Sequence, residues 1–429
     1  MKLKSLFLIL AAGAAIFCSC RKDNTEDWPD IPQKPTAQVN DGDYTITGGQ
    51  ISEKVLRNYL SRAITEAEYL SSKGISTDGY YGTEDDKRML LNTGVKFVGR
   101  AIYTWNGENK FNNDAWLNNA KAKIDAIHKE DPDVIFQCAI FETVSKQIEN
   151  IKIPAWVFEA FGKTPEDRCF KFDNIRDENN RYVGQWGTNT CVPDMSREET
   201  QMWFYYAACR YMEIGCESIH CGQVNLECSM GDKDNNYAGF RNMQRLVREA
   251  AKTKARRGFV MMDAHCPGIV VDGQHLFDFA AYPLRLKEKA GSTTKEAILK
   301  KGYNDSIIGK TRAGTTPSGW YTKRLPYILE FDNYGTSDHP GIAKDDYFIW
   351  GYDEISWIGL LTDEEAQEFV KYAVDYMNDT DPVGYIQMPG CRVAVMTNKN
   401  GSNPYRCNTR SDACPTGRNL EETIKELWK

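Results

Sequence analysis

Apolar runs along this chain repeatedly end in acids and amides. Residues 217–227, ESIHCGQVNLE, pass from a strand-like start into Gln223, Asn225 and Glu227. FVMMDAH (259–265) ends in Asp263 and His265, and YILEFDN (327–333) ends in Glu330, Asp332 and Asn333. Trp105 and Asn106 close VKFVGRAIYTWN, Glu142 comes at the end of VIFQCAIFET, and Gln387 closes VGYIQ. Side chains alternate along a strand, so Met261, Asp263 and His265 share one face, as do Ile328, Glu330 and Asp332. Cys221, Gln223, Asn225 and Glu227 share a face if their strand stays extended that far. A polar series confined to the tip of an apolar strand is what a lumen opening into a site produces.

The chemistry such a set could serve is glycoside hydrolysis. One carboxyl group must hold a proton for the leaving oxygen, and a second must be ionised to attack the anomeric carbon or activate water. The residues assigned are Glu227 as general acid/base and Glu330 as nucleophile or second carboxylate, with Asp332 as the alternate to Glu330. Glu142, Gln223, Asn225, Asp263, His265 and Gln387 would orient substrate or tune proton affinity. Trp105 and Asn106 would line the sugar site, and Trp156, Trp186, Trp320 and Trp357 are further indoles available for stacking. Two other readings stay open. In the first, Asp263 and His265 bind a metal, with His220, Glu227 and Asp332 completing the shell of a metal-dependent hydrolase. No HxH or HExxH pair is present, and His220 has the wrong parity relative to Glu227. In the second, the barrel binds glycan and has lost its chemistry. The hydrolase reading itself needs no cofactor and no metal.

The elements that must position these residues alternate. Six strands are legible: 95–106, 134–143, 217–223, 258–266, 324–335 and 383–390. Helical patterns lie between them, at 113–131, 197–215, 236–257 and 362–378. Residues 51–72 read as one helical stretch with Val55, Leu56, Tyr59, Leu60 and Ile64 on one side. Strands that alternate with helices demand a parallel sheet, and apolar strands fit one covered on both faces. The expected architecture is a (β/α)8 barrel preceded by N-terminal helices, with the missing strands sought near CFKFDN (169–174) and DDYFIWGYDEIS (345–356). That count makes ESIHCGQ the fourth strand and leaves Glu330 at the end of the sixth. The alternative is a doubly wound open sheet. Its glycine-rich turn is absent, because the first strand runs into TWNGENKFN. The polar insertion 291–320 reads as a loop beside the site.

QVNLE resembles the Asn-Glu pair that barrel glycoside hydrolases carry at the end of the fourth strand, with Leu226 inserted between Asn225 and Glu227. That resemblance implies Glu227 as acid/base and a nucleophile closing the seventh strand, for which Glu330 is the candidate.

The ends and the composition bound the rest. MKLKSLFLILAAGAAIFCSC has Lys2 and Lys4 before a short apolar run, as a secretory signal does. Its close resembles the lipobox of bacterial lipoproteins, with Ser19 preceding a lipidated Cys20; an ordinary cleaved signal is the other reading. The arrangement looks like exported lipoproteins of the Bacteroidetes type, held on the outer membrane at its periplasmic face or at the cell surface. Residues 1–19 are then the signal, 20–45 a disordered tether, and 46–429 a single barrel-like domain. Formal charge is −7, and loss of Lys2 and Lys4 takes it to −9, which argues against a nucleic-acid partner. A carbohydrate is the partner expected, and the oligomeric state is left open. Cys407 and Cys414 flank a polar loop and could pair in an exported protein.

Overall fold

Eight parallel strands succeed one another round a cylinder. They are β1 (Ala63–Glu66), β2 (Phe97–Tyr103), β3 (Ile135–Ala139), β4 (Ser218–His220), β5 (Met261–Asp263), β6 (Ala280–Pro283), β7 (Tyr327–Glu330) and β8 (Gly384–Thr397). The computed structural model describes residues 40–71, 84–292, 295–333, 335–344, 347–397 and 401–429. The signal, Cys20 and residues 21–39 of the tether lie outside the described residues. Each strand except β5 pairs in parallel with the next, and β8 returns to β1 through Ile64 and Met388. A single parallel bridge, His265 to Ala281, spans the gap between β5 and β6. The chain is therefore a nearly closed (β/α)8 barrel, and the open doubly wound sheet is set aside.

The two strands hidden from sequence are β1 and β6. The stretch read as one helix breaks in two. Its first part is helix α1 (Glu53–Leu60), whose Ser52 side chain caps Val55 N at 3.2 Å. The chain then turns at Ser61 and Arg62 and runs extended through Ala-Ile-Thr-Glu, where pairing with strands on both sides overrides the helical spacing of Ile64. CFKFDN instead holds a 3-10 turn (Phe172–Asn174), and the described part of 345–356 forms turns and the start of a helix. The strand count thus shifts: ESIH remains fourth, whereas Glu330 closes the seventh strand rather than the sixth.

Helices cover the outside. They are α2 (Glu84–Thr93) after β1, α3 (Asp114–His128) after β2, α4 (Ala155–Ala160) and α5 (Glu198–Glu213) after β3, α6 (Val224–Glu227) and α7 (Ala238–Lys254) after β4, α8 (Glu354–Leu360) and α9 (Asp363–Thr380) after β7, and α10 (Glu421–Leu427) last. α9 begins with a capping box, Thr362 and Glu365 bonding reciprocally. Among the described residues no helix follows β5 or β6; short strand pairs such as Lys287–Glu288 with Ala297–Ile298 take their place. β8 outruns the barrel and pairs antiparallel with Gly401–Arg406. Cys407 and Cys414, considered as a disulfide, are both buried free thiols.

The lumen is layered. Its floor packs Ala63, Phe97, Ile135, Met261, Ala281, Ile328 and Tyr385 against Val55, Leu56, Tyr59 and Leu60 of α1. Residues 40–45, read as the end of a tether, belong to this floor. Tyr44 is buried there, and Asn40 Nδ2 donates to Asn58 O at 3.1 Å. One step further up most strands the inward residue turns polar, as from Ile135 to Gln137, Met261 to Asp263, Ile328 to Glu330 and Tyr385 to Gln387.

Candidate functional site

The polar layer draws side chains from nearly every strand. β2 contributes Arg100, β3 Gln137, β4 His220, β5 Asp263 and then His265, β7 Glu330, and β8 Gln387 and Arg392. Glu330, only 2% exposed, lies at the centre. Arg392 Nη1 donates to its Oε2 at 2.7 Å, and His265 Nε2 stands 2.7 Å from its Oε1. Arg100 donates to both oxygens. Burial pushes this carboxyl towards its neutral form, but Arg100 and Arg392, helped by His265, overcome that and hold it well below the usual carboxylate range.

Asp263 has the opposite environment. His220 Nδ1 lies 2.6 Å from its Oδ2, and Gln137 Nε2 donates to Oδ1 at 2.7 Å. Complete burial drives its proton affinity up against the pull of Arg100. Burial, with Arg100 and His265 nearby, drives His220 down. The site thus holds two carboxylate–imidazole pairs, Asp263 with His220 and Glu330 with His265, whose rings meet edge to face at 4.8 Å. His265 is the member of the four that solvent reaches.

Above this layer the mouth is aromatic. Trp105, 44% exposed, meets Trp186 at 5.6 Å and Phe141 at 5.4 Å. Phe141 packs under the Arg100 guanidinium at 5.2 Å and beside His220 at 6.0 Å. Trp186 is pinned by its Nε1 donating to Glu142 O at 3.0 Å, and Asn106 Nδ2 donates to Trp186 O at 3.3 Å. On the far side Tyr282 lies 6.0 Å from the His265 ring, and its hydroxyl donates to Asp305 at 2.7 Å, so the 291–320 insertion does border the site. Asp332 accepts from Arg392 Nη2 at 3.4 Å, and Asn333 bonds the same guanidinium.

The parity reading from β5 and β7 describes the lumen well, because Asp263, His265 and Glu330 converge there. The reading of β4 does not. The strand ends at His220, Gly222 takes φ +53°, and residues 224–227 form the single turn α6. Cys221 and Glu227 face the helical layer, and His220, set aside for its parity relative to Glu227, is the one that faces inward. Glu227 is fully buried, and neither carboxyl oxygen has a hydrogen-bond partner among the described residues. Burial, with Glu142 close by, raises its proton affinity well above normal. Glu142 is the charge that acts on Glu227, whereas Glu330 is held by Arg100, Arg392 and His265, and among the described residues no contact joins the two glutamates. Glu142 is occupied in holding Gln223, accepting from its backbone N at 3.0 Å and its Nε2 at 2.8 Å. Asn225 is exposed on α6. Gln387 donates to Thr65 Oγ1 at 2.5 Å, deep in the lumen, where Gly99 leaves it room.

Arg100, Arg392 and Gln137 escaped the sequence reading. Their signal was a charge or an amide inside an apolar strand, FVGRAIY, GCRVAV and IFQCA, rather than at its tip. Of the indoles considered, Trp105 and Trp186 reach the mouth; Trp357 is core, Trp156 packs on α5, and Trp320 bonds Ile51 O near the floor. Among the described residues no group of three or more His, Cys, Asp or Glu is arranged to hold a metal ion. The Arg100 guanidinium, 2.9 Å from His265 Nε2, puts a positive charge where a metal bound by that nitrogen would sit. A cleft of about 580 Å³ near the start of α5 shares no lining residue with the mouth, and its charges pair internally, as Arg168 does with Glu199 at 2.9 Å.

No family model and no curated protein matches the chain. Solved structures similar to it include a β-L-arabinopyranosidase of Geobacillus stearothermophilus in complex with arabinose, 14% identical over 48% of this chain and 49% of that one, with a TM-score of 0.27. A β-glucuronidase of Bacteroides uniformis is 9% identical over 86% of this chain and 35% of that one, with a TM-score of 0.40. The debranching enzyme of Nostoc punctiforme is 10% identical over 86% of this chain and 79% of that one, also at 0.40. The chain spans about half the length of the arabinopyranosidase and about a third of the glucuronidase.

Proposed function

We propose that the protein is a glycoside hydrolase whose ionised carboxylate is Glu330. The observation that carries this is the pair of lumen carboxyls with opposed proton affinities, Glu330 held low by two guanidiniums and Asp263 pushed up by burial. Glycosidic cleavage needs that division of labour, and carboxyls whose environments separate them in this way supply it. In this reading Glu330 attacks the anomeric carbon or draws a proton from water. The Asp263–His220 pair holds the proton that the leaving oxygen takes up as the glycosidic bond breaks, and His265 is the member exposed to that oxygen. Trp105, Trp186 and Phe141 stack on sugar faces, while Asp332, Asn333 and Arg392 meet hydroxyls. The role first given to Glu227 passes to the Asp263 pair.

Non-hydrolytic glycan binding is the second reading, and one observation favours it: Arg100, Arg392 and His265 already occupy both oxygens of Glu330. A panel of glycans assayed for release of reducing ends, with calorimetric binding in parallel, decides between the two. Turnover supports the first reading, and saturable binding with no turnover supports the second. In either case Trp105→Ala is expected to weaken binding about tenfold, ~1.4 kcal/mol, by removing the exposed stacking face. An unchanged affinity would remove Trp105 from the sugar site.

We also propose export and lipid anchoring through Cys20, on the sequence of the first 20 residues. Cys20→Ala is expected to move the protein from the membrane to the soluble fraction. Retention in the membrane fraction would count against the anchor.

A further inference from the structure

Arg100 reaches Glu330 from an unusual backbone. Its φ is +58°, a region that long side chains seldom occupy. The reason is an irregularity in β2. Val98 pairs with Phe136, but the next partners are Ile102 and Cys138, so β2 spends four residues where β3 spends two. Inside this bulge the Arg100 carbonyl accepts from Glu68 N at 3.0 Å, and the Ala101 carbonyl accepts from Leu70 N at 3.0 Å. The Arg100 N–H loses its ladder partner. It donates instead to a side chain, Gln137 Oε1, at 3.0 Å.

Gln137 is 1% exposed in an otherwise apolar strand, and both ends of its amide are used. While Oε1 holds the Arg100 backbone, Nε2 holds Asp263 Oδ1 at 2.7 Å, which leaves Asp263 Oδ2 to His220 at 2.6 Å. One amide therefore fixes the bulge that aims the guanidinium at Glu330 and the carboxyl that binds the second imidazole. A glutamine is suited to both tasks because it presents an acceptor and a donor in one rigid plane.

We propose that Gln137 is the positioning residue of the site, holding Arg100 against Glu330 and Asp263 against His220 through a single side chain. Its consequence for turnover rests on the hydrolase reading; the positioning itself does not. The test uses the full chain labelled with ¹⁵N-histidine, since five histidines give a readable spectrum. In the wild type the Asp263 hydrogen bond to Nδ1 is expected to hold His220 in a single tautomer across the neutral range. Gln137→Leu is expected to erase that tautomer preference, to move the ring signals of His265, and, where turnover is measurable, to lower kcat about 100-fold with KM changed less than threefold. Gln137→Glu keeps the acceptor but can donate to Asp263 only when protonated. Its spectrum and activity should therefore approach the wild type as the pH falls, and this variant also serves if Gln137→Leu does not fold. Histidine spectra unchanged in Gln137→Leu, or no acid recovery in Gln137→Glu, would overturn the inference. A wild type that turns over no glycan, with the spectral changes present, removes the hydrolase reading and leaves the positioning role standing.

Discussion

Replacing Glu330 by glutamine should cost the protein both turnover and stability. On the hydrolase reading the loss of the ionised carboxylate lowers kcat by about 10²–10⁴-fold. The stability loss comes from what is left behind. Arg100 and Arg392 are 4% and 7% exposed, and both lose their shared counter-charge. Removing one partner of a buried pair typically costs ~3–5 kcal/mol, a large part of the ~5–15 kcal/mol that holds a domain together. The pH dependence gives the effect its signature. Because the folded state holds the Glu330 pKa below the unfolded value of 4.5, its contribution is fully present above that value and is lost as the pH falls through the folded pKa. The gap in unfolding free energy between wild type and Glu330→Gln should therefore be widest near neutral pH and close on the acid side. Denaturant titrations at pH 7 and pH 3.5 measure it. A gap that stays constant would mean that Glu330 is not the ionised member of the site. Glu330→Asp keeps the charge but withdraws it by one methylene, so it should lose less stability while turnover still collapses.

Glu227→Met should do the reverse. The wild-type carboxyl is fully buried with no hydrogen-bond partner among the described residues, and such a group costs ~1–3 kcal/mol. An unbranched apolar side chain of similar length removes that cost. Here the folded pKa is raised above the unfolded 4.5, so the carboxyl penalises the fold progressively as the pH rises past that value towards the folded pKa. The stabilisation by Glu227→Met should thus be small at pH 4 and grow towards pH 8. Turnover should survive the change. Loss of activity with the fold intact would return the acid/base role to Glu227 and displace the Asp263 pair.

These two glutamates mark where the sequence could be read and where it could not. The alternation in β5 and β7 is strict, so the inward facing of Asp263, His265 and Glu330 was plain from spacing alone. At β4 the same spacing misled, because nothing in CGQVNLE announces that Gly222 takes a left-handed turn and folds the next residues into α6. β1 was hidden because Ile64 continues the helical spacing of α1; only the paired strands on either side make Ala63–Glu66 extended. β6 was hidden by the absence of flanking helices, which left it looking like loop. Arg100 and Arg392 were missed for a different reason. A charge inside an apolar strand is costly unless paired, and its partner Glu330 lies more than sixty residues away from either.

The floor of the barrel also settles a question of aspect. Asn40 and Tyr44 are fastened to α1 at the base, so the described chain begins at the pole opposite Trp105 and Trp186. The point where residue 39 joins Asn40 therefore lies at the base and leaves the rim round Trp105 clear.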